Sequence, residues 1–197
     1  MSKIIWIDLD EVLSETVEHA LKANDYKICW IPIKKEEIKD YYIFRMKEFE
    51  WMKQEAVDFF GDFLLSEEAK DIQPVEWAYE KLKELKSAWY VLNIVTARRD
   101  FLKDRTYEWL DKNLPYLISD VYFTNSFWDD HIKKSEIIKK IWARCMFEDN
   151  FDYAYDIASV WVKTFLLKKP WNVHQDEDTW FIERINNWKS FNLEMIE

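Results

Sequence analysis

Asp8 and Asp10 are the residues of this chain best placed to do chemistry, because an apolar run delivers them one residue apart. The run is Ile4-Ile5-Trp6-Ile7, and the chain turns apolar again through Val12-Leu13. A short Ile-rich run reads as a strand buried on both faces. In an open α/β sheet, ligands collect outside the carboxyl ends of such strands. Two carboxylates there can hold a cation, move a proton or attack an electrophile. Alone, the pair is a short motif that a turn or a helix cap explains equally well.

Three further stretches add weight. Ile94-Val95-Thr96-Ala97-Arg98 ends a second apolar run with a hydroxyl, and Lys133-Lys134-Ser135-Glu136 opens a helix. Met146-Phe147-Glu148-Asp149-Asn150 ends a third apolar run with acids. In order and spacing these resemble the four motifs of the haloacid dehalogenase superfamily of phosphohydrolases. The frame is most similar to the 5′(3′)-deoxyribonucleotidase-like branch, including Leu166-Leu167-Lys168-Lys169-Pro170-Trp171-Asn172. The resemblance covers nearly the whole chain, and only loosely the part between about Glu15 and Pro74.

That resemblance implies a Mg²⁺-dependent phosphomonoesterase. Asp8 would be the nucleophile that forms an aspartyl-phosphate. Asp10 would protonate the leaving oxygen and later activate water, its protonation favoured by a neighbouring carboxylate that raises one pKa of the pair. Thr96 and the amide of Ala97 would bind a phosphoryl oxygen, with Arg98 holding the loop or touching substrate. Lys134 would supply a point charge to the phosphorus and to Asp8, and a shift of register would give that role to Lys133. Asp8, the backbone carbonyl of Asp10 and Asp149 would hold the Mg²⁺, with Glu148 as a ligand or as holder of a bound water. Glu148-Asp149 also suits a helix N-cap before Phe151. Glu11 stands where many relatives have Gly or Asp, and its effect depends on whether it faces the pocket. The implied substrate is a small phosphorylated metabolite, foremost a nucleoside monophosphate. The alternatives are a sugar phosphate, or a phospholigand-binding protein that has lost catalysis.

Strands alternating with helices predict a parallel sheet with helices on both faces. Residues 1–14 and 74–197 are expected to form this core, and 15–73 a small helical cap inserted after the first strand. Ser14 is expected to cap a helix through Val17, Ala20, Leu21 and Asn24. Tyr90 to Thr96, Val121 to Thr124, Cys145 to Phe147 and Val162 to Leu167 are the further expected strands. Helices are expected over Tyr79 to Ala88, Phe101 to Leu114, Ser135 to Ile141 and Tyr153 to Val160. In the tail, Phe181, Ile182, Ile185 and Trp188 suggest one more helix from Asp178 to Phe191. Seven aromatics of the inserted segment, such as Tyr41, Tyr42, Phe44 and Phe60, are expected mostly as its core, leaving one or two to sandwich a flat group.

The 28 basic and 38 acidic residues leave a net charge of −10, which disfavours long nucleic acid as a partner. It leaves room for a small phosphate ester, because a metal ion reverses the local field. No apolar run is long enough to cross a membrane. Cys29 and Cys145 lack ligand-like spacing, so a reducing, cytoplasmic setting is expected. His19, His131 and His174 are scattered and read as surface or packing residues. Nothing in the sequence fixes the oligomeric state.

One glycine against twelve tryptophans is the anomaly of the composition, since ordinary usage gives about a dozen glycines in a chain of this size. Trp77, Trp89, Trp128 and Trp161 fall at turns or element boundaries, where backbone logic asks for Gly. The family pattern has Gly at Trp6, Trp77, Trp89 and Trp161. Trp109, Trp171 and Trp188 suit their surroundings as tryptophan. This distribution suggests a source whose code reads UGA as glycine, with tryptophan placed at those codons by translation under another table.

Overall fold

In the computed structural model, which describes residues 3–126, 131–175 and 180–196, β1 (Ile4–Ile7) leads into α1 (Thr16–Ala23). A short antiparallel hairpin of β2 (Lys27–Ile28) and β3 (Ile31–Pro32) follows, then α2 (Lys53–Leu65). Next come α3 (Ala78–Ser87), β4 (Val91–Thr96), α4 (Lys103–Asn113), β5 (Asp120–Phe123) and α5 (Lys134–Lys140). The chain ends through β6 (Cys145–Glu148), α6 (Phe151–Ala158), β7 (Lys163–Leu167) and β8 (Ile182–Ile185). Six strands form one sheet in the order β5-β4-β1-β6-β7-β8, every adjacent pair parallel. β1 lies between β4 and β6, so the chain leaves it to opposite sides and a crevice opens at its carboxyl end.

The side chains of β1 alternate between two apolar layers. Ile5 and Ile7 join Leu82 and Leu85 of α3, Trp109 of α4 and Trp188 on one face. Trp6 joins Val95, Met146, Ile138 of α5 and Ile157 of α6 on the other. A parallel strand covered on both faces needs apolar residues at successive positions, which is why this run carries no polar alternation. Leu21, Ile28, Ile33, Ile38, Ile43, Phe49 and Met52 make a second apolar cluster that includes Trp171 and meets the main core through Phe59 and Phe60.

Three local expectations need correction. The tail from residue 180 onward holds no α-helix: β8 adds to the sheet edge in register with β7, Ile182 opposite Thr164, and a short 3₁₀ turn follows at Trp188–Ser190. Ile182 and Ile185 sit three apart, a spacing that suits a helix face, but Asn187 stops the element by capping Ser190. Residues 178 and 179 of that expected helix lie outside the described residues. Ser14 does not cap α1. Its hydroxyl bonds the Leu9 carbonyl and Thr16 instead, and the N-cap residue Glu15 makes no side-chain cap. The inserted segment, finally, contains the β2–β3 hairpin, which no alternating pattern announced.

The tryptophans divide sharply. Trp77, Trp89 and Trp161 have φ of 68, 65 and 66°, the left-handed region that a Cβ disfavours, and are 40, 79 and 78% exposed. Trp30, Trp51, Trp142 and Trp180 are also exposed, although indoles are normally well buried. Trp6 is fully buried with its indole N–H unpartnered. Trp109, Trp171 and Trp188 are buried and donate to Ile72 O, Asp149 Oδ2 and Val12 O at 2.8, 2.9 and 2.7 Å. Trp128 lies outside the described residues.

Among the described residues, no helix is long and apolar enough to cross a membrane.

Candidate active site

Three strand ends and a helix start bring the expected side chains together. Asp8 follows β1 and is buried, its amide bonded to the Phe147 carbonyl of β6 at 2.9 Å. Lys134, the first residue of α5, is buried and donates to Asp8 Oδ1 at 2.6 Å and Glu148 Oε2 at 2.8 Å. Lys133 is exposed, so the register that places Lys134 at the carboxylates is the one the fold adopts. Tyr153 of α6 lays its ring 4.6 Å from the Lys134 ammonium. Burial alone would lower the Lys134 pKa, but Asp8 and Glu148 push it above the ordinary lysine value.

Asp8, Glu148 and Asp149 offer oxygens all within 4.8 Å of one another. Asp149 Oδ2 accepts from Trp171 Nε1, while its buried Oδ1 has no partner. An all-oxygen set with an orphaned carboxylate oxygen fits a hard divalent cation such as Mg²⁺. Glu148 is saturated differently: Lys134 takes one oxygen, and the amides of Asp149 and Asn150 approach the other at 3.3 and 3.1 Å. It thereby holds the lysine and the turn while remaining within the oxygen set around the candidate cation position. The N-cap of α6 belongs to Asn150, which accepts from Asp152 and Tyr153 amides, not to Glu148-Asp149. Burial pushes the Asp8 carboxyl up to about 8, against the pull of Lys134 and with help from Glu148 and Asp10. Burial, Glu148 and Asp8 likewise raise Asp149. Three acids around one lysine leave the cluster short of positive charge.

Asp10 departs from expectation. Burial is the largest single influence and would raise its pKa, but the charge and hydrogen bonds of Arg98, the Thr16 hydrogen bond and the charge of Lys134 together outweigh it, so the group is lowered. Arg98 grips both oxygens, Nε to Oδ2 at 2.9 Å and Nη2 to Oδ1 at 2.7 Å, and also reaches Thr106 Oγ1 at 3.1 Å. The raised pKa therefore falls on Asp8 and Asp149 rather than on Asp10. Thr96 is buried at the end of β4, its hydroxyl accepting from the Arg98 amide at 3.2 Å, and Ala97 lies between them. Glu11 holds φ 65° and lines the neighbouring cavity. Its charge is met by Lys35 at 2.7 Å and Lys169 at 3.4 Å, so it presents no bare anion.

Sequence reasoning gave no role at the site to Thr16, Tyr153 or Asn172. Asn172 clamps the Asp149 and Leu167 carbonyls at 2.7 Å each. The Trp171-Asn172 pair just past an apolar strand was the signal available for it. A cavity of about 330 Å³ adjoins the cluster at Asp10, Ala97 and Arg98 and runs beneath α2.

No family model matches the chain. Over 147 residues, 71% of its length, the chain is 30% identical to "Putative nucleotidase YqfW" of Bacillus subtilis, and it spans 63% of that protein. All of it superposes on 97% of an HAD hydrolase, family IA, variant 3, from Entamoeba histolytica, with a TM-score of 0.62 and 14% identity. This is the haloacid dehalogenase fold. CbbY from Rhodobacter sphaeroides, solved in complex with phosphate, shares it at a TM-score of 0.59 and 12% identity, with 95% of each chain covered. In the haloacid dehalogenase fold as this chain builds it, Asp8, Thr96, Lys134 and Asp149 lie on four separate elements around the carboxyl end of β1.

Proposed function

We propose that this chain is a Mg²⁺-dependent phosphomonoesterase acting on nucleoside monophosphates. The observation that carries the reading is the buried cluster in which Lys134 bridges Asp8 and Glu148 beside the unpartnered Asp149 oxygen. A structural ion pair has no need of a third buried acid. Asp8 and Asp149, with the Asp10 backbone carbonyl, would hold Mg²⁺, which supplies positive charge to the phosphoryl oxygens and to the crowded carboxylates.

Asp8 attacks phosphorus through a carboxylate oxygen, the bond to the leaving oxygen breaks, and an aspartyl-phosphate forms. Lys134 favours the ionised form of Asp8 against burial and aims it, bound Mg²⁺ would favour that form further, and Thr96 and the Ala97 amide bind a phosphoryl oxygen. In the arrangement seen, Asp10 is an ionised carboxylate held by Arg98, which suits the second half of the reaction. There it takes a proton from the water that cleaves the aspartyl-phosphate. The first half needs Asp10 to carry a proton to the leaving oxygen, and so to loosen from Arg98.

We assign residues 15–73 as the cap over this site. The apolar cluster the segment builds around Phe49 supports it, as do the contacts of the segment with α6, Arg45 to Asp152 at 3.3 Å and Tyr41 against Tyr153. The aromatic side chains that the segment brings to the cavity, among them Tyr42, Phe44 and Phe60, suit a flat base. Unpaired Cys29 and Cys145 suit a reducing, cytoplasmic setting.

The test is a kinetic panel of nucleoside 5′-monophosphates and sugar phosphates on metal-stripped protein, with and without Mg²⁺. The expected result is the highest kcat/KM on a nucleoside monophosphate, with activity falling at least ~100-fold when Mg²⁺ is withheld. Metal-independent turnover, or preference for sugar phosphates, contradicts the proposal.

A further inference from the structure

Gly61 is the only glycine of the chain, and it stands inside α2, where glycine weakens a helix relative to alanine. Backbone geometry does not ask for it, because it is not among the positive-φ positions. Packing does not ask for it either: a Cβ built there meets nothing within 4 Å. Open space lies against it, and Gly61 is among the residues that line the cavity beside Asp10 and Arg98. Val57, Gly61 and Leu64 fall at the helical spacing that puts them on one side of α2, and all three line the cavity. Tyr42, Phe44 and Phe101 line it too, while the charged side chains α2 brings to it are the acids Asp58 and Asp62.

We propose that Gly61 is a specificity-determining residue: the leaving group lies against the bare backbone of α2, and the missing side chain at 61 leaves room for a flat ring system. This rests on the phosphatase reading above. The acids of α2 offer acceptors only, which favours an uncharged leaving group over an anionic one. At about 330 Å³ the cavity is at the small end of ligand pockets, so a side chain the size of leucine takes a large share of it.

The experiment compares wild type, Gly61→Ala and Gly61→Leu on acetyl phosphate and 1-naphthyl phosphate, with melting temperature recorded for each. Acetyl phosphate has no ring to place in the cavity, and naphthyl phosphate has two. Gly61→Leu is expected to lower kcat/KM for the naphthyl ester at least ~10-fold and to leave acetyl phosphate within about twofold of wild type. Gly61→Ala is expected to raise the melting temperature by about 2–4 °C and to reduce naphthyl turnover by a smaller factor. A naphthyl-to-acetyl ratio unchanged in Gly61→Leu overturns the proposal while leaving the phosphatase reading intact. No turnover of either compound by the wild-type chain overturns both.

Discussion

Asp8→Asn lowers turnover of a generic aryl phosphate by roughly 10⁴-fold or more, the scale on which loss of a nucleophile is felt. Asparagine keeps the shape of the side chain but cannot form an acyl phosphate, so the covalent route is closed. The fold is expected to survive, because Lys134 keeps Glu148 as a buried partner at 2.8 Å and the Asp8 amide keeps its bond to Phe147 O. Initial rates and a thermal melt on the same preparation check both halves. A rate within tenfold of wild type removes Asp8 from the chemistry, and a collapsed melt makes it structural.

Replacing Trp77, Trp89 and Trp161 together with glycine raises the melting temperature, although three large side chains are lost. Each holds a left-handed backbone, which costs about 1–2 kcal/mol for a residue bearing a Cβ. Each is also substantially exposed, so little burial is given up. The contacts that go are modest: Trp77 Nε1 to its neighbour Glu76 at 3.1 Å, the Lys189 ammonium 5.3 Å from the Trp77 ring, and the edge of Trp161 against Phe181. Three such positions give about 3 kcal/mol even at the low end, which for a chain of this size is about 6–12 °C. Trp109→Gly is the control, since that indole is buried and bonded to Ile72 O, and its loss is expected to destabilise by ~3 kcal/mol or more. A triple variant no more stable than the parent removes the physical basis for reading these positions as glycine. The reading of UGA as glycine has its own check in the intact mass of protein from the native host. A mass that accounts for all twelve tryptophans contradicts it.

Much of this was legible in the residues, and the failures have physical reasons. The β1 run, the ends of β4 and β6 and the start of α5 were readable because parallel strands covered on both faces leave long apolar runs that end abruptly in polar groups. β8 was misread because a four-residue edge strand carries two apolar side chains at a spacing that also suits a helix. The β2–β3 hairpin pairs only two residues on each side, too few to show an alternation. At the site, residue identity pointed to the acids, but their protonation did not follow from adjacency. Arg98 arrives from 88 positions away to hold Asp10 ionised, and that pairing is a product of the fold. The roles of Thr16 and Asn172 were hidden for the same reason, since each acts by contact with a group brought to it by other elements.

The most direct test of the account is to quench the protein in acid during turnover with Mg²⁺ and a saturating phosphate ester, then map the phosphoryl group by peptide mass spectrometry. The account predicts a phosphoryl group on the peptide containing Asp8, absent in Asp8→Asn. Sustained Mg²⁺-dependent turnover with that peptide unmodified, or with the phosphoryl group on another residue, contradicts it.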